Sequence, residues 1–236
     1  MKVEIWSDVV CPWCYIGKRR FEAALARFGH RDDVAVSWRA FELDPTAPRE
    51  RTGELADHLA GKYGLSREQA LGMHESMTAT AAVEGLTFRF DRARSGNTFD
   101  AHRLLHLAAE RGRHGQAALK ERLLAAYLTD GEPIGDPDTL TRLAADAGLD
   151  ADEVREVLSG DRYGAEVHAD EAQARALGVT GVPFFVVDSK YGVAGAQSAD
   201  VLLEVLDRAW ADEHPLIRVA GGSANGADCD DGICAV

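Results

Sequence analysis

Ser7-Asp8-Val9-Val10-Cys11-Pro12-Trp13-Cys14 decides the reading of this chain, because here a short strand runs into a helix across two cysteines. Before this stretch, Lys2 to Trp6 alternates polar and apolar residues as a half-buried strand does. After it, Ile16, Phe21, Ala24, Leu25 and Phe28 recur at helical spacing, and Gly29 offers a left-handed stop. Pro12 occupies the first helical position, where its missing N–H costs nothing, and this leaves Cys11 at the N-cap. Val34 to Phe41 then reads as a second strand, rich in β-branched and aromatic residues. The opening is therefore strand, helix, strand.

That placement suits thiol chemistry. Disulfide exchange needs a thiolate, and a free cysteine titrates only at about 8.5. A helix N-terminus supplies roughly half a positive charge and unpaired N–H donors, which favour the anion. Cys11 is thus the expected attacking thiolate, and Cys14, one turn on, the expected resolving thiol. Pro12 stiffens the turn and Trp13 offers an apolar contact for a substrate. Half of a zinc site and inert packing are the alternative readings of the pair. A structural zinc site takes four ligands, however, and the other pair, Cys229/Cys234, lies at the far end of the chain. No metal ligand set is assigned.

Composition narrows the remaining choices. The chain has 236 residues, 39 acids against 26 bases, and a net charge of −13. Such a balance argues against nucleic-acid backbone binding, which relies on clustered Lys and Arg. The longest apolar run, Val182 to Val187, is strand-sized and far below a membrane span of about 20 residues, so no membrane partner is expected. The start of the chain lacks the apolar core of a secretion signal, and paired cysteines in a cytoplasmic protein are usually redox-active or metal-binding. The expected location is the cytoplasm.

From about Pro45 only helix signals follow for most of the chain. Ser66 and Gln69 have capping-box spacing, Asn97 or Thr98 caps a segment stopped by Gly112, and Leu119, Leu123, Leu124, Tyr127 and Leu128 form an apolar stripe. Asp136-Pro137 and Asp150-x-x-Glu153 open further helices, and another spans Tyr163 to Leu177. Strand signal returns at 182–187 and 191–194, and Ser198 caps a closing helix.

The active-site stretch resembles that of DsbA-like thioredoxin-fold oxidoreductases. Phe41-Glu42-Leu43-Asp44-Pro45, Asn97-Thr98-x-x-Ala101-His102-Arg103-Leu104, Gly181-Val182-Pro183-Phe184-Phe185 and Gly195-Ala196-Gln197 are similar to the FrnE-like cytoplasmic branch of that family. The resemblance implies an α/β chain, a thioredoxin fold with a large all-helical domain inserted after the second strand. The corresponding boundaries are 1–44 and 179–212 for the thioredoxin-like part, 45–178 for the insertion, and 213–236 for a flexible tail carrying the second cysteine pair. It also implies that Pro183 is cis and faces the sulfurs, with Val182 pairing with substrate backbone. Trp13 stands where periplasmic DsbA has a histidine that holds its thiolate, so a less acidic Cys11 and a less oxidising protein are expected.

Other candidates are weaker. Glu4 is the acid on the first strand, but alternation puts it with Trp6, so a bulge is needed to aim it at Cys14. Its role stays unassigned beside that of an exposed strand-edge residue. His102 and His106 share a helix face but lack a third ligand. Asn97 and His102 are candidate groove residues because the resembling segment borders the active site. Cys229 and Cys234, tethered by Gly221-Gly222-Ser223, form a candidate secondary redox pair or a substrate-like relay. Asp228, Asp230 and Asp231 around them make Cys229 a poor attacker. The expected function is thiol–disulfide exchange with protein or small-thiol partners, with no bound cofactor and glutathione as a candidate redox partner. A glutathione-dependent isomerase or transferase of the same fold, and a metal-binding or chaperone-like protein, are the competing expectations.

Overall fold

The computed structural model describes residues 1–215. Strand β1 (Lys2–Ser7) feeds helix α1 (Pro12–Arg27), and β2 (Ala35–Ala40) returns parallel to β1. Then come seven helices: α2 (Leu55–Tyr63), α3 (Arg67–Val83), α4 (Phe99–Glu110), α5 (Arg113–Ala125), α6 (Pro137–Asp146), α7 (Ala151–Ser159) and α8 (Gly164–Ala176). A π-turn at Ala126–Asp130 extends α5. Strands β3 (Phe184–Val187) and β4 (Tyr191–Ala194) and helix α9 (Ala199–Glu213) close the fold. The sheet order is β2-β1-β3-β4, with β3 antiparallel to both of its neighbours. This is the thioredoxin arrangement with a helical insertion between β2 and β3.

Strand alternation sorts the sheet faces. Val3 and Ile5 pack with Phe21 and Ala24 of α1, Phe28 just past its end, and Leu202 and Leu206 of α9. Trp6 lies on the opposite face with Ala174 of α8 and Val179, and its indole N–H donates to the Asp170 carbonyl at 2.9 Å. The insertion has its own core of leucines from α4 to α6, and Val9, Tyr15 and Ile16 of the cysteine segment are buried within it. The redox segment is therefore shared between two cores.

The caps follow the expected chemistry at Ser66–Gln69, Asp136, Asp150 and Ser198. Three local readings need correction. Helix α1 ends at Arg27 with Phe28 extended, not at a left-handed Gly29, because Phe28 is drawn under Trp210. Helix α2 carries no start signal, since Glu54 at its N-cap makes no side-chain cap bond, and it went unread as a separate element. The strand expected at 182–187 begins only at Phe184.

Candidate active site: the Cys11–Cys14 pair and its cleft

Cys11 is the N-cap of α1 and Pro12 its first residue, with Cys11 extended at φ −90° and ψ 113°. Its carbonyl accepts from the Cys14 amide at 3.0 Å, so Cys14 falls one turn inward. Both are free thiols: Cys11 is 4 % exposed and Cys14 completely buried. The Val182–Pro183 peptide is cis, and the Cys11 sulfur lies 3.6 Å from the Val182 carbonyl oxygen. Pro183 can lie this close to α1 because residue 17 is glycine: a β-carbon there would stand 2.8 Å from the proline Cγ.

The two sulfurs share a proton. The hydrogen bond that Cys11 gives to Cys14, then burial, pushes the Cys11 thiol well up. Burial opposes ionisation of Cys14 as well, but the Cys11 hydrogen bond, the charge of Lys120 and the Ser7 hydroxyl outweigh it and bring Cys14 down. The helix N-terminus favours an anion at Cys11, while the pairing of the two buried thiols raises Cys11 and lowers Cys14. The Ser7 hydroxyl, fully buried, makes no hydrogen bond within ordinary limits, and the group it bears on is the Cys14 sulfur.

Lys120, from α5, is completely buried. Its ammonium donates to the Ser7 carbonyl at 3.2 Å and stands 5.6 Å from the Trp38 ring centroid. Burial pushes it down to about 8, against the favourable charges of Cys14, Asp8 and Cys11. This residue was missed in the sequence. Its signal was there to read: Gln116, Lys120, Leu123 and Tyr127 fall at helical spacing on one face, and all four are buried.

Asp8 is also completely buried. Its carboxylate accepts from the Val9 amide at 2.7 Å and the Leu43 amide at 2.8 Å, and pairs with His102 Nε2 at 3.3 Å. Burial works against the charge, yet these partners hold Asp8 below its ordinary value. Burial keeps His102 low in turn, so the ring is a neutral donor at pH 7. His102 therefore stands behind the motif and not on a groove wall. Asn97 precedes the Thr98 N-cap of α4, its Oδ1 accepting from the Phe99 amide at 2.9 Å. His106 lies 3.0 Å from Asp170, away from His102's partner. Among the described residues no three His, Cys, Asp or Glu side chains gather as a metal site.

Glu4 is neither at the strand edge nor beside Cys14. Strand β1 pairs with β2 without a bulge, so Glu4 shares the α8 face with Trp6, opposite α1. There Arg39 binds its carboxylate at 2.5 and 2.9 Å and Lys2 at 3.0 Å. Cys229 and Cys234 lie outside the described residues.

A cleft of about 390 Å³ opens over Cys11, Pro12, Trp13 and Val182. Cys14 does not line it. Leu55, His58, Leu59, Lys62 and Tyr63 of α2 all do, a single helix face turned to the cleft and not to a core. Met73, His74 and Met77 of α3 complete that side, and Trp13, Leu43, Tyr63 and Met73 are exposed around the mouth. The same wall carries Arg51, which is paired with Asp44. Burial first, then Arg51 and Lys62 against the opposing charge of Asp44, lowers His58, and the cleft lining carries Arg51 and Lys62 beside the acids Asp8 and Asp44.

Residues 2–207 match the model of the DSBA-like thioredoxin domain. The chain belongs to this family. A probable DsbA oxidoreductase from Streptomyces coelicolor is 47 % identical, superposes with a TM-score of 0.86, and the match covers 96 % of this chain and all of that one. An uncharacterized protein of Bacillus subtilis is 27 % identical over 220 residues, covering 90 % of this chain and 96 % of its own. A cytosolic disulfide reductase from Pseudomonas aeruginosa, solved with glutathione, shares the fold at 18 % identity and a TM-score of 0.62, with 88 % and 98 % coverage. For this DSBA-like chain the family fits the cysteine pair, the cis proline and the sheet order. Among the described residues no helix is long and apolar enough to cross a membrane.

Proposed function

We propose that this protein is a cytoplasmic thiol–disulfide oxidoreductase acting through Cys11 and Cys14 on protein or small-molecule substrates. The observation that carries this reading is the asymmetry of access: Cys11 lines the cleft, while Cys14 is sealed directly behind it. Access makes Cys11 the attacker, although Cys14 is the more readily ionised of the two. The Cys11 sulfur attacks one sulfur of a substrate disulfide while its proton passes to Cys14 across their hydrogen bond. One substrate thiolate leaves and is protonated by water, giving a mixed disulfide. Cys14 then releases its proton, attacks the Cys11 sulfur and expels the second thiolate. The protein ends as a disulfide and the substrate as two thiols, two electrons having crossed. The reverse sequence makes a substrate disulfide.

In this reading Val182 and Pro183 align the partner's backbone beside Cys11, as the 3.6 Å contact with Cys11 supports. The α2 face suits a substrate with apolar groups next to its sulfur and a negative charge beyond, near Lys62. The Lys62 ammonium likewise suits glutathione, an anionic thiol, as the small-thiol partner. It also supports a second reading, a glutathione-dependent isomerase or transferase, in which Cys14 would be spare; full activity of Cys14→Ser would favour it.

A redox titration in glutathione buffers, with free thiols alkylated and counted by mass spectrometry, tests the main reading. A reversible two-electron transition at Cys11 and Cys14 is expected. If the two never pair across the buffer range, disulfide exchange is wrong.

A further inference from the structure

A lysine with no exposed surface needs an anion, because burying an unpaired ammonium is costly. The carboxylates near Lys120 are already engaged. Asp8 serves two backbone amides and His102, and Glu121, the next residue along α5, binds Tyr15 and Lys18 at 2.5 Å each and also Arg19. One Lys120 N–H is used by the Ser7 carbonyl. Ser7 is the last residue of β1, and its own hydroxyl faces Cys14. The anions whose charge bears on Lys120 are Cys14, Asp8 and Cys11, and of these Asp8 already has its own hydrogen-bond partners in the Val9 and Leu43 amides.

We propose that Lys120 is the buried counter-cation of the Cys14 thiolate, a positioning charge supplied by the inserted helices that keeps the resolving sulfur ionisable where water does not reach. Glu4 was the candidate acid for this part of the site, and Lys120 brings a charge of the opposite sign. An acid there would accept a proton and repel the thiolate; a lysine attracts it. The proposal rests on the disulfide-exchange reading for its consequence, since resolution of a mixed disulfide needs Cys14 as a thiolate. Lys120 itself is not consumed: the Cys11–Cys14 bond forms, the bond to substrate sulfur breaks, and the leaving thiolate takes its proton from solvent. Besides Lys120, the groups that act on Cys14 or on Lys120 are Cys11, the Asp8–His102 pair and, opposing Lys120, Lys18 of α1.

The test is the ionisation of Cys14 measured without turnover. The difference in thiolate ultraviolet absorbance between Cys11→Ser and Cys11→Ser/Cys14→Ser proteins, followed against pH, isolates Cys14 from the tail cysteines. With Lys120 in place, the midpoint is expected below the value of about 8.5 for free cysteine. Lys120→Met keeps the buried stem without the charge and is expected to lower the ionisation constant at least tenfold. In the intact pair, at a pH above both midpoints, the same substitution should shift the glutathione equilibrium about tenfold toward the disulfide, about 30 mV for a two-electron couple, and the shift should shrink at pH values below them. A Cys14 midpoint at or above that of free cysteine, or one that does not move in Lys120→Met, overturns the proposal. The first measurement does not require the lysine variant to fold. A pair that never titrates with glutathione would instead remove the function and leave this electrostatic result standing.

Discussion

The Pro183 ring rests on the bare backbone of Gly17, where a β-carbon would come within 2.8 Å of Cγ and 3.4 Å of the Ala196 β-carbon. Neither neighbour is the far end of a flexible side chain, so the cis-proline loop must move if residue 17 gains a methyl group. Gly17→Ala should destabilise by about 1–3 kcal/mol through overpacking, despite the better helix propensity of alanine. It should also slow disulfide exchange, because Val182 moves with the loop. Gly72, in α3, has nothing within 4 Å of the same atom, and Gly72→Ala should stabilise by about 0.5–1 kcal/mol. Denaturant midpoints of the two variants check the contrast; equal signs would mean that the close approach is harmless.

Sealing of Cys14 predicts a difference between the two serine variants. Cys11→Ser should lower turnover roughly a thousandfold or more, since the sulfur that reaches the cleft is gone. Cys14→Ser should still attack but should accumulate the mixed disulfide, visible as added mass on Cys11. Accumulation on Cys14 in the Cys11→Ser protein would show that the buried sulfur is reachable after all.

Glu42 gives the fold a pH dependence. Burial first, then the charges of Glu171 and Asp8, push its carboxyl up to about 7, although the Asn97 amide at 3.4 Å opposes this. Its folded value therefore lies above the unfolded one of about 4.3. The folded protein holds the proton more tightly, so this contribution is present at low pH and is lost as pH rises from about 4.3 through 7. Glu42→Gln should be more stable than the parent at pH 8 by about 1–3 kcal/mol and nearly equal to it at pH 4. Thermal melts at both pH values decide; a variant that loses stability at pH 8 would contradict this sign.

Lys62 tests whether charge at the cleft wall selects substrates. Lys62→Glu should slow reduction of an anionic aromatic disulfide about two- to fivefold, and added salt should narrow the gap. Reaction with a cationic disulfide should speed up. Parallel changes for both substrates would show that charge does not select at this cleft.

The site is legible in the sequence wherever chemistry is local. A proline at the first helical position places Cys11 at a cap from backbone sterics alone, and Ser66, Asp136 and Ser198 declare helix starts for the same reason. Gly29 misled because long-range packing of Phe28 on Trp210 overrode a local stop signal. Helix α2 was silent because its stripe of Leu55, Leu59 and Tyr63 is broken by His58 and Lys62, a face made for a cleft and not for a core. Lys120 lies far from the cysteines in sequence, and only the packing of α5 beside β2 brings its charge to them. Charge pairing across an insertion leaves no spacing to read.

Val9, just before α1, and Tyr15 and Ile16 within it belong to the core of the inserted helices, while Phe21 and Ala24 of α1, and Phe28 just past its end, belong to the sheet. Helix α1 is thus a rivet through both layers. Trimming the insertion to obtain a minimal redox module would strip apolar cover from three buried side chains and remove Lys120 with it. A chimera that borrowed the helices of a relative would have to import matching partners for Tyr15 and Ile16. Melting in one transition, not two, is the behaviour such a rivet enforces.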